Sequence, residues 1–132
     1  MKVDRSHSPQ AMLDATGLAQ YTDKAVVQAM PRGEGEDAEV CFFKLDRFVT
    51  DDELEEEYAL RGLRAADPYS LAAFNTNDPA FAYERPNGTH WKDAGGRWCF
   101  VVFRQLYKER YLVLRHDDIK WDARWWFAGL RK

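Results

Sequence analysis

The chain has 132 residues, a hydrophobic fraction of 45%, an aromatic fraction of 14% and a formal net charge of −3 at pH 7. This size and composition can bury a core, which excludes wholesale disorder, and no apolar run reaches the roughly 18 residues of a membrane-spanning helix. The N-terminus also lacks the continuous apolar stretch of a secretory signal, so we expect a soluble, cytoplasmic protein without a membrane role.

The small net charge conceals an uneven distribution of charged side chains. Residues 33–57 contain 11 acidic and two basic residues, whereas residues 91–132 contain 10 basic and five acidic ones. This uneven charge distribution bears on the protein's electrostatic field and on its choice of partners, and it does not indicate a particular fold. It is consistent with a protein that offers one acidic and one basic face to partners. It is equally consistent with acidic and basic segments that partly neutralise each other within the fold.

The first third of the chain has weak structural signals. Residues 1–20 are polar and mixed, and we expect a flexible segment or a short helix that begins at Ser8-Pro9. Residues 21–132 are expected to form a single domain. The runs "KAVVQAM" and "AEVCFFKL", joined by the acidic loop "PRGEGED", are interpreted as a β-hairpin, although the valines of the first run also fit one face of a helix.

The middle of the chain predicts three helices. In "FVTDDELEEEYALRGL", Thr50 and Glu53 have the spacing of a capping box, and a glycine follows the last turn, so we predict a helix over 51–61. Two Asp-Pro steps, in "ADPYSLAAFN" and "NDPAFAYERP", place an aspartate at an N-cap and a proline in the first turn. They predict two short helices, about 68–75 and 79–84.

The last third of the chain predicts β-structure. The runs "WCFVVF", "YLVLR" and "RWWFAGL" are rich in β-formers and are separated by turn residues, which indicates an antiparallel meander. The predicted fold class is therefore α+β: an antiparallel sheet of about four to five strands with a C-terminal meander, packed on one face by three or so short helices.

Three pieces of the chain carry a resemblance to a known group of proteins. The segments "RGLRAADPYSLAAFN", "NDPAFAYERPNGTHWKDAGGRWC" and "WWFAGLRK" resemble an uncharacterised family of small bacterial proteins. The resemblance covers roughly residues 50–132 and not the N-terminal third. It implies no activity and assigns no role to any residue.

The candidate binding surface combines tryptophan and arginine. All five tryptophans lie in the basic C-terminal third. Adjacent residues of a strand point to opposite faces, so two consecutive tryptophans cannot enter the same core and at least one ring should lie near the surface. Tryptophan and arginine are enriched at binding hot spots. The candidate residues are Trp98, Arg104, Arg115, Arg124, Trp125 and Trp126.

These features predict a non-catalytic binding protein that contacts a protein partner, or a second copy of itself, without a cofactor or metal. The alternative is a nucleic-acid-binding module that uses the same residues, although the overall acidity tells against it. The third hypothesis is a small inhibitor encoded by a phage or mobile element, or an unrecognised enzyme with a site around His90 and His116. His116 stands beside Asp117 and Asp118, but an Asp-Asp pair after a strand is ordinary turn chemistry, and no catalytic residue is predicted.

Overall fold

The computed structural model describes residues 1–116 and 119–132. The helices in these residues are α1 (Pro9–Ala15), α2 (Lys24–Ala29), α3 (Asp51–Leu60), α4 (Pro68–Asn77) and α5 (Phe81–Glu84). The strands are β1 (Ala19–Thr22), β2 (Cys41–Lys44), β3 (Leu63–Ala65), β4 (Asn87–Lys92), β5 (Trp98–Leu106), β6 (Glu109–Arg115) and β7 (Trp126–Arg131). Within the described ranges, no helix has the length and apolar character needed to cross a bilayer.

The seven strands form one mixed sheet in the order β1-β6-β5-β4-β7-β2, with β3 also paired to β7. The α+β class is confirmed, and β4, β5 and β6 form an antiparallel meander. The prediction of a purely antiparallel sheet of four to five strands is wrong, because β1 joins β6 in parallel and β7 joins β4 in parallel. The last strand does not extend the meander beside β6; it inserts between β4 and β2, where its apolar residues are covered on both faces.

The predicted capping box of α3 is present. Thr50 Oγ1 accepts a hydrogen bond from the Glu53 amide at 3.1 Å, and Glu53 Oε1 accepts one from the Thr50 amide at 3.0 Å. The two bonds satisfy donors that the first helical turn leaves unpaired. α3 ends at Leu60, and α4 begins at its predicted Asp-Pro step, where the Asp67 side chain accepts from the Ser70 amide.

The first arm of the predicted hairpin is wrong. Residues Lys24–Ala29 form α2, since Asp23 Oδ1 accepts hydrogen bonds from the amides of Ala25 and Val26 at 3.0 and 3.4 Å. Val26 and Val27 are both buried, which a helix allows and an alternating strand does not. β2 forms as expected but pairs with β7 rather than with a neighbour in sequence.

Helices cover both faces of the sheet rather than one. On the face that carries Cys99, Val101 and Phe103, the buried residues of α1, α2 and α4 complete a core. The opposite face carries Phe100 and Val102; we call it the α3 face because the helical residues of its core, Leu54 and Tyr58, belong to α3. The described residues contain five helices, against the three or so that were predicted.

Arg5 supplies several of the side-chain hydrogen bonds that fasten the N-terminal segment to the fold. Arg5 donates from Nη1 to Asp67 Oδ1 at 2.8 Å and from Nη2 to Ser70 Oγ at 3.1 Å. The same guanidinium donates to the carbonyl oxygens of Glu34 at 3.0 Å and Gly35 at 2.8 Å. Arg5 therefore joins three parts of the chain: the N-terminal segment, the acidic loop and the first turn of α4.

Candidate functional site

The two consecutive tryptophans lie on opposite faces of the sheet. Trp125 precedes β7, is 7% exposed and packs edge-on against Trp121, with ring centroids 5.8 Å apart. Trp126 is the first residue of β7 and alternates with the buried Phe127, which belongs to the core of the α3 face. Trp126 is half-buried, and the Arg85 guanidinium lies 5.6 Å from its ring centroid. Of the pair, Trp126 is therefore the one nearer to solvent.

The other four candidate residues do not form one patch with both tryptophans. The Arg104 guanidinium lies 5.9 Å from the ring of Trp125. Arg115 is exposed at the end of β6, and Arg124 Nε donates to its neighbour Asp122. Trp98 lies at the start of β5, where it stacks on a histidine under α3. The structure thus divides the predicted surface among separate places.

Part of the α3 face is open. α3 contacts β3 and the rings of Phe43 and His90, so it lies over the half of the sheet that contains β2, β3 and β4. Across β5, β6 and β1, the cross-strand register brings a second set of side chains to the same face. None of these side chains is fully buried. We call this set the open face: Tyr21, Arg104, Tyr111, Val113 and Arg115.

The open face places two tyrosine rings between two arginines. The rings of Tyr21 and Tyr111 meet edge to face at 5.6 Å, and Tyr21 is 43% exposed. Tyr21 Oη donates to Glu109 Oε1 at 2.6 Å, and this bond raises the pKa of the tyrosine. Arg115 pairs across the strands with a residue four positions from Arg104, so the two guanidinium stems are about 13 Å apart along the strand direction.

A buried histidine, His90, lies under α3 and contacts two carboxylates of that helix. His90, 1% exposed, places Nδ1 2.8 Å from Asp51 Oδ1 and Nε2 2.6 Å from Glu55 Oε2. Trp121 Nε1 donates to the same Asp51 oxygen at 2.9 Å. The ring of Trp98 stacks on the imidazole with centroids 4.2 Å apart and planes 15° from parallel. We call these five residues the His90 cluster.

Helical spacing and strand pairing explain the geometry of the His90 cluster. Asp51 and Glu55 are four residues apart on α3, so both carboxylates lie on the side of the helix that faces β4. Burial opposes a charged imidazole, but the hydrogen bonds and charges of the two carboxylates outweigh it and raise the pKa of His90. The hydrogen bond to His90 in turn lowers the pKa of Glu55. When His90 is protonated, both ring nitrogens donate to carboxylates of the helix.

The His90 cluster is suited to holding α3 on the sheet rather than to proton transfer. The His90 side chain has no exposed surface, and both nitrogens already have partners, whereas a general base needs one nitrogen free to reach a substrate. His116, the other histidine of the enzyme hypothesis, lies 3.4 Å from Asp23. Asp117 and Asp118 lie outside the described residues.

A cleft of about 490 Å³ adjoins the cluster, lined by Asp52, Glu55, Arg64, Ala65, His90, Trp91, Lys92 and Trp98.

The sequence analysis assigned no partner to Asp51 and Glu55 and missed their contact with His90. One signal was present, since Asp51 and Glu55 are spaced for one helix face and His90 is next to a tryptophan. Their partner, however, is 39 and 35 residues away in the chain. The chain matches no protein-family model, no curated protein and no solved structure.

Proposed function

We propose that this protein is a non-catalytic binding protein that contacts a protein partner through the open face. The observation that carries the proposal is the contrast between the two halves of the α3 face. One half is covered by α3 and by the rings of Trp121 and Trp125, whereas the other presents tyrosine and arginine side chains to solvent. Tyrosine and arginine dominate binding hot spots because they combine a large contact area with directional hydrogen bonds.

The scaffold beneath the open face favours binding. Tyr111 and Val113 stand on β6, which pairs with β5 on one side and with β1 on the other. Side chains on paired strands lose less conformational freedom on binding than side chains on a loop, so less of the contact energy is spent on ordering them. The edge-to-face contact of Tyr21 with Tyr111 further restricts both rings.

The nucleic-acid alternative uses the same residues and is weaker on charge. Tyrosine rings can stack on bases, and arginines can neutralise phosphates. Glu109, however, lies on this side of the sheet and accepts a hydrogen bond from the Tyr21 hydroxyl, so one ring of the open face is already bound to an anion. An acidic partner surface with a few carboxylates tolerates this better than a continuous phosphate backbone.

Affinity capture with matched variants tests the proposal. The immobilised protein is exposed to a lysate with and without nuclease, and the bound material is compared with that of Tyr21→Ala and Arg115→Glu. Both substitutions should remove the bound protein. Tyr83→Ala and Arg110→Glu serve as controls, because Tyr83 is exposed on α5 and the exposed Arg110 alternates to the other face of β6.

Circular dichroism of each variant verifies that it is folded. Binding that is equal in wild type and open-face variants would contradict the proposal. Bound material that disappears after nuclease treatment would favour the nucleic-acid module instead, and its affinity should then fall steeply as salt is raised.

A further inference from the structure

We infer that the open face is occupied by helix α3 of a second copy of this chain, in a symmetric dimer. The inference rests on the proposed function, because it names the partner of the same surface. Three observations carry it: the chemistry of the outer side of α3, the spacing of its residues, and the step that α3 forms on the sheet.

The outer side of α3 is acidic and carries an exposed apolar residue. Glu56 and Leu60 are four residues apart and so lie along one side of the helix, away from the buried Leu54 and Tyr58. Asp52, one turn before Glu56, accepts a hydrogen bond from Trp98 Nε1. Leu60 is 78% exposed. Among the described residues, Glu56 has no cationic partner within 4 Å, whereas the other glutamates of the helix pair with arginine or histidine.

The spacing on the helix matches the spacing on the open face. Glu56 and Leu60 are separated by about 6 Å along the helix axis. Arg115 and Val113 point to the same face of β6 and are separated by about 6.7 Å along the strand. When α3 of one copy is aligned along β6 of the other with Leu60 on Val113, Glu56 reaches Arg115. Arg115 is exposed, as a partner for an incoming carboxylate must be.

The shape of the α3 face favours a closed pair. α3 lies over one side of this face, the segment of Trp121 and Trp125 packs on it as well, and the open face occupies the part over β6 and β1. α3 therefore stands above the open face by about 10 Å, the diameter of a helix. A second copy turned by 180° places its own α3 on the lower half. Two identical contacts then form at once, which closes the dimer and leaves no further copy to add.

Sedimentation velocity over a concentration series at low salt tests the inference. Wild type is expected to reach a mass twice the 15.4 kDa of the chain. Arg115→Glu and Glu56→Arg should each weaken the dimer by at least about tenfold, because each juxtaposes like charges in both contacts. An equimolar mixture of the two variants should restore it. In the mixed dimer, one contact has the original pair and the other has the reversed pair.

Arg110→Glu is the matched control, since it makes the same charge change on the same strand but on the other face. It should leave the dimer intact. A wild type that sediments as a monomer at every concentration would overturn the inference, as would a mixture of the two variants that does not restore the dimer. A monomer whose open-face variants still lose a captured protein would overturn the inference alone. If the wild type is a monomer and its open-face variants also retain the captured protein, the proposed function is overturned as well.

Discussion

Replacing Asp51 by asparagine removes one of the two anionic partners of the buried imidazole. Asp51 Oδ1 accepts from His90 Nδ1 and from Trp121 Nε1, and asparagine preserves the size of the side chain but not its charge. Removal of one partner from a buried ion pair costs about 3–5 kcal/mol. Because the carboxylate is 17% exposed and Glu55 remains, we expect Asp51→Asn to lower the free energy of unfolding by about 2–3 kcal/mol at pH 6.

This cost should depend on pH with a definite sign. The pKa of His90 is raised in the folded protein, so its ion pairs stabilise the fold fully below the unfolded value of about 6.5. That contribution is lost as pH rises through the folded pKa, with a slope of at most about 1.4 kcal/mol per pH unit. Asp51→Asn should therefore cost less at pH 9 than at pH 6, because the protonated fraction of the imidazole falls as pH rises through its folded pKa.

Urea unfolding followed by tryptophan fluorescence at the two pH values measures the effect. Asp52→Asn is the control, since Asp52 also lies in the first turn of α3, accepts a bond from Trp98 and does not contact His90. It shares the loss of about 0.3–1 kcal/mol from the helix dipole. Equal costs for the two substitutions, or a cost of Asp51→Asn that is the same at pH 6 and pH 9, would refute the reasoning.

Three further predictions concern stability. Gly129→Ala should lower the free energy of unfolding by about 1–3 kcal/mol, measured in urea, because an added Cβ would lie 3.1 Å from Tyr58 Cε1 and 3.2 Å from a backbone oxygen. Tyr107→Gly should raise the thermal midpoint, with a gain of up to about 1 kcal/mol, since Tyr107 has φ of 54° and its side chain is 96% exposed. Arg5→Ala should cost about 2–4 kcal/mol and expose the loop at 32–37 to limited proteolysis, as it leaves a carboxylate and three carbonyls without their donor.

Helix ends were predictable where the determining contacts are local. The capping box of α3 involves Thr50 and Glu53, three positions apart, and both of its hydrogen bonds are present. α2 was missed although its N-cap is equally local. Its sequence fits both a strand and a helix, and the hydrogen bonds that Asp23 Oδ1 accepts from the amides of Ala25 and Val26 stabilise the helix beyond what residue propensities indicate.

Strand partners and the His90 cluster were not predictable, because they depend on contacts between distant segments. β1 pairs with β6 across about 90 residues, and no local pattern indicates a parallel partner at that distance. The alternation of Trp125 and Trp126 was foreseen from the geometry of a strand. Which of them is buried depends on Trp121, whose segment crosses the α3 face before β7.

The position of β7 has a consequence for biosynthesis. Among the described residues, β2 and β3 pair with β7 and with no other strand. During translation, the backbone N–H and C=O groups of both strands stay unpaired until residues 126–131 have left the ribosomal tunnel. Such unpaired strand edges are sites of intermolecular pairing. A nascent chain stalled before this point would expose the unpaired edges of β2 and β3 and would be prone to aggregate.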